Sequence, residues 1–312
     1  MFHLLTVCFL GVHLLSHALA APIASIRSAE NITDTSILQF ALTLEHLENA
    51  FYTGGLAKYT AEDFAAAGLP DWVRPRFVEI AEHEATHVQF LESALGADAV
   101  QACTYKFPDT DVKSFVDVSS SLETVGTSAY LGASKFLDNK DYLTAAASIM
   151  NTEARQSSWI ISSVRKGSPW FSAFEIPLDL NQVFSIASGF IVDCPSTNAQ
   201  LPVSAFPPLV FPSTGVAPGA SVSLEFNATS AGSQGGLFAT FLTGLLSSTV
   251  SVALGEDGKT VVIPEGLKGV VYALITTNNA TGSAVDDTHT VAGPAMLDFE
   301  FDSKGALETL PF

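Results

Sequence analysis

Apolar residues recur every three to four positions through most of the first 170 residues, and at about every second position beyond residue 220. The first pattern predicts four long helices, at 35–52, 71–95, 112–137 and 141–166, and a shorter one at 178–188. Gly54-Gly55 closes the first, Gly96 the second, and Gly167 with Pro169 the fourth. The second pattern predicts short strands at 221–226, 249–254, 260–263, 269–277 and 296–301, with turn clusters such as Gly255-Glu256-Asp257-Gly258 between them. The expected fold is α+β and multidomain: a four-helix bundle over 35–195, a Pro- and Ser-rich linker over 196–219, and an antiparallel, sandwich-like β-domain over 220–312.

The core-facing stripes of the four helices are not wholly apolar. Leu38, Ala41, Glu45, Glu48 and Tyr52 share one face of the first; Phe77, Ile80, Glu84, His87 and Leu91 share one of the second. Val116, Ser119, Glu123, Gly126 and Tyr130 line the third, and Ala146, Ile149, Glu153, Gln156 and Ile160 the fourth. A carboxylate on such a stripe is costly unless it is paired or bound to a metal. The densest stretch, His83-Glu84-Ala85-Thr86-His87, has two metal readings. It fits H-E-x-x-H, the zinc peptidase pattern, and its last four residues fit E-x-x-H, the ligand pair of di-metal carboxylate bundles. A helix with a solvated face and one satisfied core histidine is the bland alternative.

An internal echo separates these readings. Glu45 is followed seven residues on by Tyr52, and Glu123 by Tyr130. Glu84 is followed three residues on by His87, and Glu153 by Gln156. One helical hairpin is thus written twice. Four inward carboxylates cannot all ionise in a dry core without cations, and two divalent ions would balance them. Carboxylates with an imidazole suit iron or manganese. The peptidase reading lacks a third ligand, has Phe90 where its longer pattern needs Gly, and leaves Glu45, Glu123 and Glu153 unexplained.

The run from Ile37 through Leu44-Glu45-His46-Leu47-Glu48 to Phe51-Tyr52 resembles the opening helix of a ferritin-like domain. The version is the one found in secreted fungal stress-response and sexual-development proteins and in plant desiccation-related proteins. His83 to Leu91, Glu123 to Ala133, and Glu153-Ala154-Arg155-Gln156 extend the likeness in the same order, over residues 37–159. The resemblance implies Glu45 and Glu123 as terminal ligands, Glu84 and Glu153 as bridges between two Fe or Mn ions, and His87 as the nitrogen ligand of one. The family pattern usually has His where this chain has Gln156, a neutral and weaker donor. The expectation is therefore an uneven site, a single ion or a degenerate site. Glu48 is the best placed substitute, ahead of His46 and His83. Tyr52 and Tyr130 could hydrogen-bond the ligand carboxylates, or serve simply as core aromatics.

Composition adds the compartment. Residues 1–20 read as a secretory signal, with an apolar core, Ala18-Leu19-Ala20 as cleavage site and no basic n-region, followed by a short extension over 21–34. The apolar run is too short for a membrane span and none follows later. Formal net charge is −18 with only 15% charged residues, which disfavours nucleic acid and anionic membranes. Cys103 and Cys194 remain after the signal, an even pair for which a disulfide is the default in an oxidising compartment. Asn31, Asn227 and Asn279 head glycosylation sequons. The β-domain carries no acid/base or metal pattern, and His289 stands alone.

Three functions stay open on the residues. They are a secreted di-metal oxidoreductase acting on peroxide or dioxygen, a zinc peptidase, and a non-catalytic secreted or wall-associated stress protein that uses the bundle as scaffold. Caged iron storage is not expected, because a β-domain of this size would obstruct a closed shell. Oligomeric state is not legible.

Overall fold

The computed structural model describes residues 32–227, 236–245 and 248–308. The signal segment, Asn31, and Ala228 and Thr229 of the Asn227 sequon lie outside them. Helix α1 spans Asp34–Lys58. Thr33 starts it with a capping box, its Oγ1 accepting from the Ser36 amide at 3.2 Å while Ser36 Oγ accepts from the Thr33 amide at 2.8 Å. The helix runs through Gly54-Gly55 rather than ending there. A Cβ on Gly55 would lie 2.2 Å from the Phe115 ring, so this glycine serves close packing, not termination.

A short helix, α2 (Ala61–Ala66), was not anticipated; it is capped by Thr60 and Asp63 and buries Phe64. Helix α3 (Val73–Leu95) ends on Gly96 at φ +60°, and α4 (Val112–Ala133) starts from the side-chain cap of Asp111. Helix α5 (Lys140–Trp159) passes into a π-turn, Ile160–Arg165, closed by Lys166 at φ +70°. Helix α6 (Leu180–Ala187) is capped by Asp179. Helix α1 packs chiefly along α3, and α4 along α5. The two hairpins meet through Phe51, Tyr52, Phe77 and Phe115 at one end and Leu42, Leu91, Tyr130 and Ile149 at the other.

Small strands β1 (Thr104–Tyr105) and β2 (Ile191–Asp193) pair beside a disulfide between Cys103 and Cys194, whose Cα atoms are 4.2 Å apart. The C-terminal half holds β3 (Leu209–Val210), β4 (Ser221–Ser223), β5 (Glu225–Phe226), β6 (Phe238–Leu242), β7 (Val250–Ala253), β8 (Thr260–Val262), β9 (Gly269–Thr276) and β10 (Thr290–Phe299). An antiparallel sheet of order β10-β9-β6-β7 faces the antiparallel pairs β4–β8 and β3–β5. Between the layers, Val271, Ala273 and Ile275 pack with Leu209, Leu224 and Val261. Strand β6 was not read from the sequence, and β10 begins earlier than expected. The stretch 196–219 is tied down: it supplies β3, and the Ser204 and Phe206 amides donate to Asn181 and Ser185 on α6.

The large sheet is covered on its other side by the bundle. Val270, Tyr272 and Leu274 of β9 pack with Ile37, Phe40, Val125 and Ala129, so β9 is buried on both faces. The Tyr272 hydroxyl lies 3.2 Å from Ser128 Oγ on α4. An ionic cluster fastens the same seam. Arg165 of the π-turn, 7% exposed, reaches Asp117 at 3.0 Å, Asp298 at 3.2 Å and Glu300 at 3.6 Å. Helix α4, buried between its partner helices and the sheet, is thereby held from both sides. Among the described residues no helix is long and apolar enough to cross a membrane.

Candidate metal centre

The helical phase that aligned the four stripes brings their carboxylates together. Glu45, Glu84, Glu123 and Glu153, one from each long helix, are each 0% exposed, and Glu48 is 5% exposed. One ligand atom each from Glu45, Glu84, His87 and Glu153 lie within 4.8 Å of one another. His87 Nδ1 is 3.0 Å from Glu84 Oε2 and 3.3 Å from Glu45 Oε2. Across from them, Gln156 Nε2 donates to Glu84 Oε1 at 3.1 Å and approaches His83 Nδ1 at 3.2 Å.

The two Glu–Tyr spacings are cross-connected. The Tyr52 hydroxyl on α1 donates to Glu123 Oε1 on α4, and the Tyr130 hydroxyl on α4 donates to Glu45 Oε1 on α1. Each hairpin's tyrosine thus serves the other hairpin's carboxylate. The remaining oxygens of these two glutamates behave differently. Among the described residues, Glu45 Oε2, Glu123 Oε2, both oxygens of Glu153 and Gln156 Oε1 are buried and accept no hydrogen bond. The Glu45 Oε2 approach to His87 is a charge contact, off the line that a hydrogen bond requires.

Crowding shows in the proton affinities. Burial, then the charges of Glu45, Glu84 and Glu123, pushes Glu48 well above the usual carboxylate range. Burial likewise raises Glu123 and Glu153, with neighbouring carboxylates adding to it, and raises Glu84 to about 7. For His87 burial works against the charged form, but the Glu45 and Glu84 carboxylates more than offset it and push the imidazolium up to about 10. Tyr52 and Tyr130 are raised by burial and by the same acids, so both hydroxyls keep their protons. Burial and mutual repulsion thus favour the protonated forms of Glu48, Glu84, Glu123 and Glu153.

The donor set fits metal ions. Buried orphan oxygens converge from three helices, and an imidazole stands at one side. Gly126 on α4 leaves the space open, since a Cβ there would lie 2.7 Å from Glu153 Oε2 and 2.9 Å from Glu48 Oε1. On the flank beyond Tyr130 lies an apolar pocket lined by Leu38, Ala41, Ala129 and Ile149. Hard oxygen donors with one nitrogen match iron or manganese.

The cluster unites Glu45, Glu84, His87, Glu123, Glu153 and Gln156, with Tyr52 and Tyr130 bonded to two of them. Glu48, expected as a supporting residue or as the best-placed substitute ligand, stands among the carboxylates themselves. His46 does not join: its Nε2 is 3.0 Å from the Val100 carbonyl. His83 is exposed and outside the ion-holding group, so the H-E-x-x-H pair does not close on one centre. His289 pairs with Asp286 on the surface. The Asn227 and Asn279 side chains are exposed. Sequence reasoning missed Gly126 as a site residue, although a glycine in mid-helix beside Glu123 is the kind of signal that marks close approach. It also missed the Arg165 cluster, whose members lie far apart in the chain.

Residues 33–166 match the ferritin-like domain model. Protein rds1 of Schizosaccharomyces pombe is 28% identical over 176 residues, which is 56% of this chain and 44% of the relative. The aligned region thus spans less than half of that protein's length.

Proposed function

Since residues 33–166 are a ferritin-like domain, we propose that the protein is a secreted metalloprotein whose bundle holds two iron or manganese ions and uses them on dioxygen or hydrogen peroxide, in stress or development. Glu45, Glu84, His87, Glu123 and Glu153 would hold the ions, with Glu84 and Glu153 between them. When bound, such ions supply a reversible change of oxidation state. The chain supplies the rest. Tyr130 and Tyr52 orient Glu45 and Glu123 through their hydroxyl protons. An apolar pocket flanks the site beyond Tyr130, and His87 is the partly exposed member of the cluster.

One observation carries the reading: buried carboxylate oxygens from separate helices converge, several accept no hydrogen bond among the described residues, and His87 is the one cationic group beside them. Metal analysis of the natively secreted protein tests it. About two iron or manganese ions per chain, lost in Glu84→Ala, are expected; a fully folded protein that takes up neither overturns it. Secretion is supported by the signal-like N-terminus, the Cys103–Cys194 disulfide and the exposed Asn279. Release of a shortened, glycosylated chain into the medium would test that part. A non-catalytic scaffold is the second reading, favoured by Gln156, whose donation to Glu84 satisfies one ligand oxygen without any ion. Peroxide consumption by metal-loaded protein separates the two.

A further inference from the structure

We propose that the second ion sits in an all-oxygen pocket in which Glu48 takes the place left by the absent imidazole at position 156. The two positions would then be chemically unequal: one with His87, the other with carboxylates alone. This rests on the metal-binding reading above and refines it.

The argument starts from Gln156. Its amide nitrogen is committed to Glu84 and His83, so the side chain is turned as a donor rather than presented as a nitrogen ligand. An amide has no basic nitrogen in any case. Its free Oε1 is a neutral, weak donor, so the side of the cluster away from His87 lacks a second strong ligand at this position. Glu48 lies one turn beyond Glu45 on the same face of α1 and is buried beside the ligand carboxylates. Its Oε1 and the orphan Oε2 of Glu153 converge on one point of α4, the place where Gly126 lacks a side chain. Glu123, with its own unpartnered Oε2, stands on the same helix one turn earlier.

Among the described residues Glu48 has no ion-pair partner. Arg165, the buried guanidinium among the described residues, is engaged with Asp117, Asp298 and Glu300. A buried carboxylate with neither ion pair nor metal is strongly disfavoured, and a residue placed only to support its neighbours would be expected to bond one of them. Carboxylates from Glu48, Glu123 and Glu153 form a hard-oxygen set, which favours a divalent ion such as manganese. The His87 position, with nitrogen, is the one that suits iron best.

The full-length metal-free protein, titrated with manganese(II) alone, tests this. Ions are counted by elemental mass spectrometry after gel filtration, and paramagnetic resonance distinguishes a coupled pair from an isolated ion. Wild type is expected to bind two in a coupled pair, and Glu48→Gln one, as an isolated ion. Gly126→Ala, which pushes a methyl group onto the Glu48 and Glu153 oxygens, is expected to do the same by an independent route; melting curves confirm that each variant is folded. A Glu48→Gln protein that still binds two, or a wild type that binds only one, overturns the inference alone. A wild type that binds none overturns the metal reading beneath it.

Discussion

Tyr130 on α4 donates its hydroxyl hydrogen to Glu45 on α1 at 2.5 Å, and Tyr52 returns the favour from α1 to Glu123 on α4. The bonds cross between the hairpins, so removing either hydroxyl frees a carboxylate held by the opposite helix. Tyr130→Phe and Tyr52→Phe are each expected to weaken metal affinity about 10- to 100-fold, as loss of an orienting bond does elsewhere. Chelator competition measures it. An unchanged affinity would make both tyrosines ordinary core aromatics.

Acid should stabilise the metal-free protein. Burial raises Glu84 from an ordinary 4.5 to about 7 and, at the seam, Glu300 to about 8; Glu48, Glu123 and Glu153 move the same way. Between pH 4.5 and 8 the folded chain therefore keeps protons that the unfolded chain has released. Stability must fall as pH rises through that window. Melting in chelator is expected to drop by at least about 5 °C from pH 5 to pH 8. Metal loading should remove the part that belongs to the bundle, leaving the contribution of Glu300.

Those two acid clusters were unequally legible. Spacing alone brings Glu45, Glu84, Glu123 and Glu153 to one point, because a helix makes position along the chain equivalent to position on a face. Nothing local connects Arg165 to Asp298, 133 residues away. Strand β6 was missed for a related reason: with neighbours on both sides and little exposure, Phe238–Leu242 has no alternation to betray it. The glycine pair at 54–55 misled because a residue that breaks helices also permits close approach, and only the Phe115 ring decides which. Glu48 was legible as a substitute ligand from its shared face with Glu45, but its convergence with Glu153 was not, because that depends on Gly126 of a third helix.

Arg165 is the sole guanidinium among three acids at the seam. Arg165→Met should cost about 3–5 kcal/mol, since it strands Asp117, Asp298 and Glu300 together. Adding Asp117→Asn, Asp298→Asn and Glu300→Gln should recover most of the loss. Denaturant titration reads both. Equal instability in the single and the fourfold variant would show that packing of the Arg165 stem, not charge, holds the seam.

The Cys103–Cys194 bridge closes a loop of 91 residues that contains α4, α5 and α6. By chain entropy, Cys103→Ser with Cys194→Ser should lower stability by about 3–5 kcal/mol. Equilibrium unfolding with and without reductant checks it. Metal uptake should persist at temperatures where the variant stays folded, because no ligand lies near the bridge.

Strand β9 turns one row of side chains toward its own domain and the other toward α1 and α4. A gene fragment ending after α6 would therefore encode a bundle with an oily flank, bare where Val270, Tyr272 and Leu274 had lain. Such a truncation would be sticky in solution and slack around Glu123. Anyone wishing to transplant this centre into another scaffold would have to carry the sheet along with the helices.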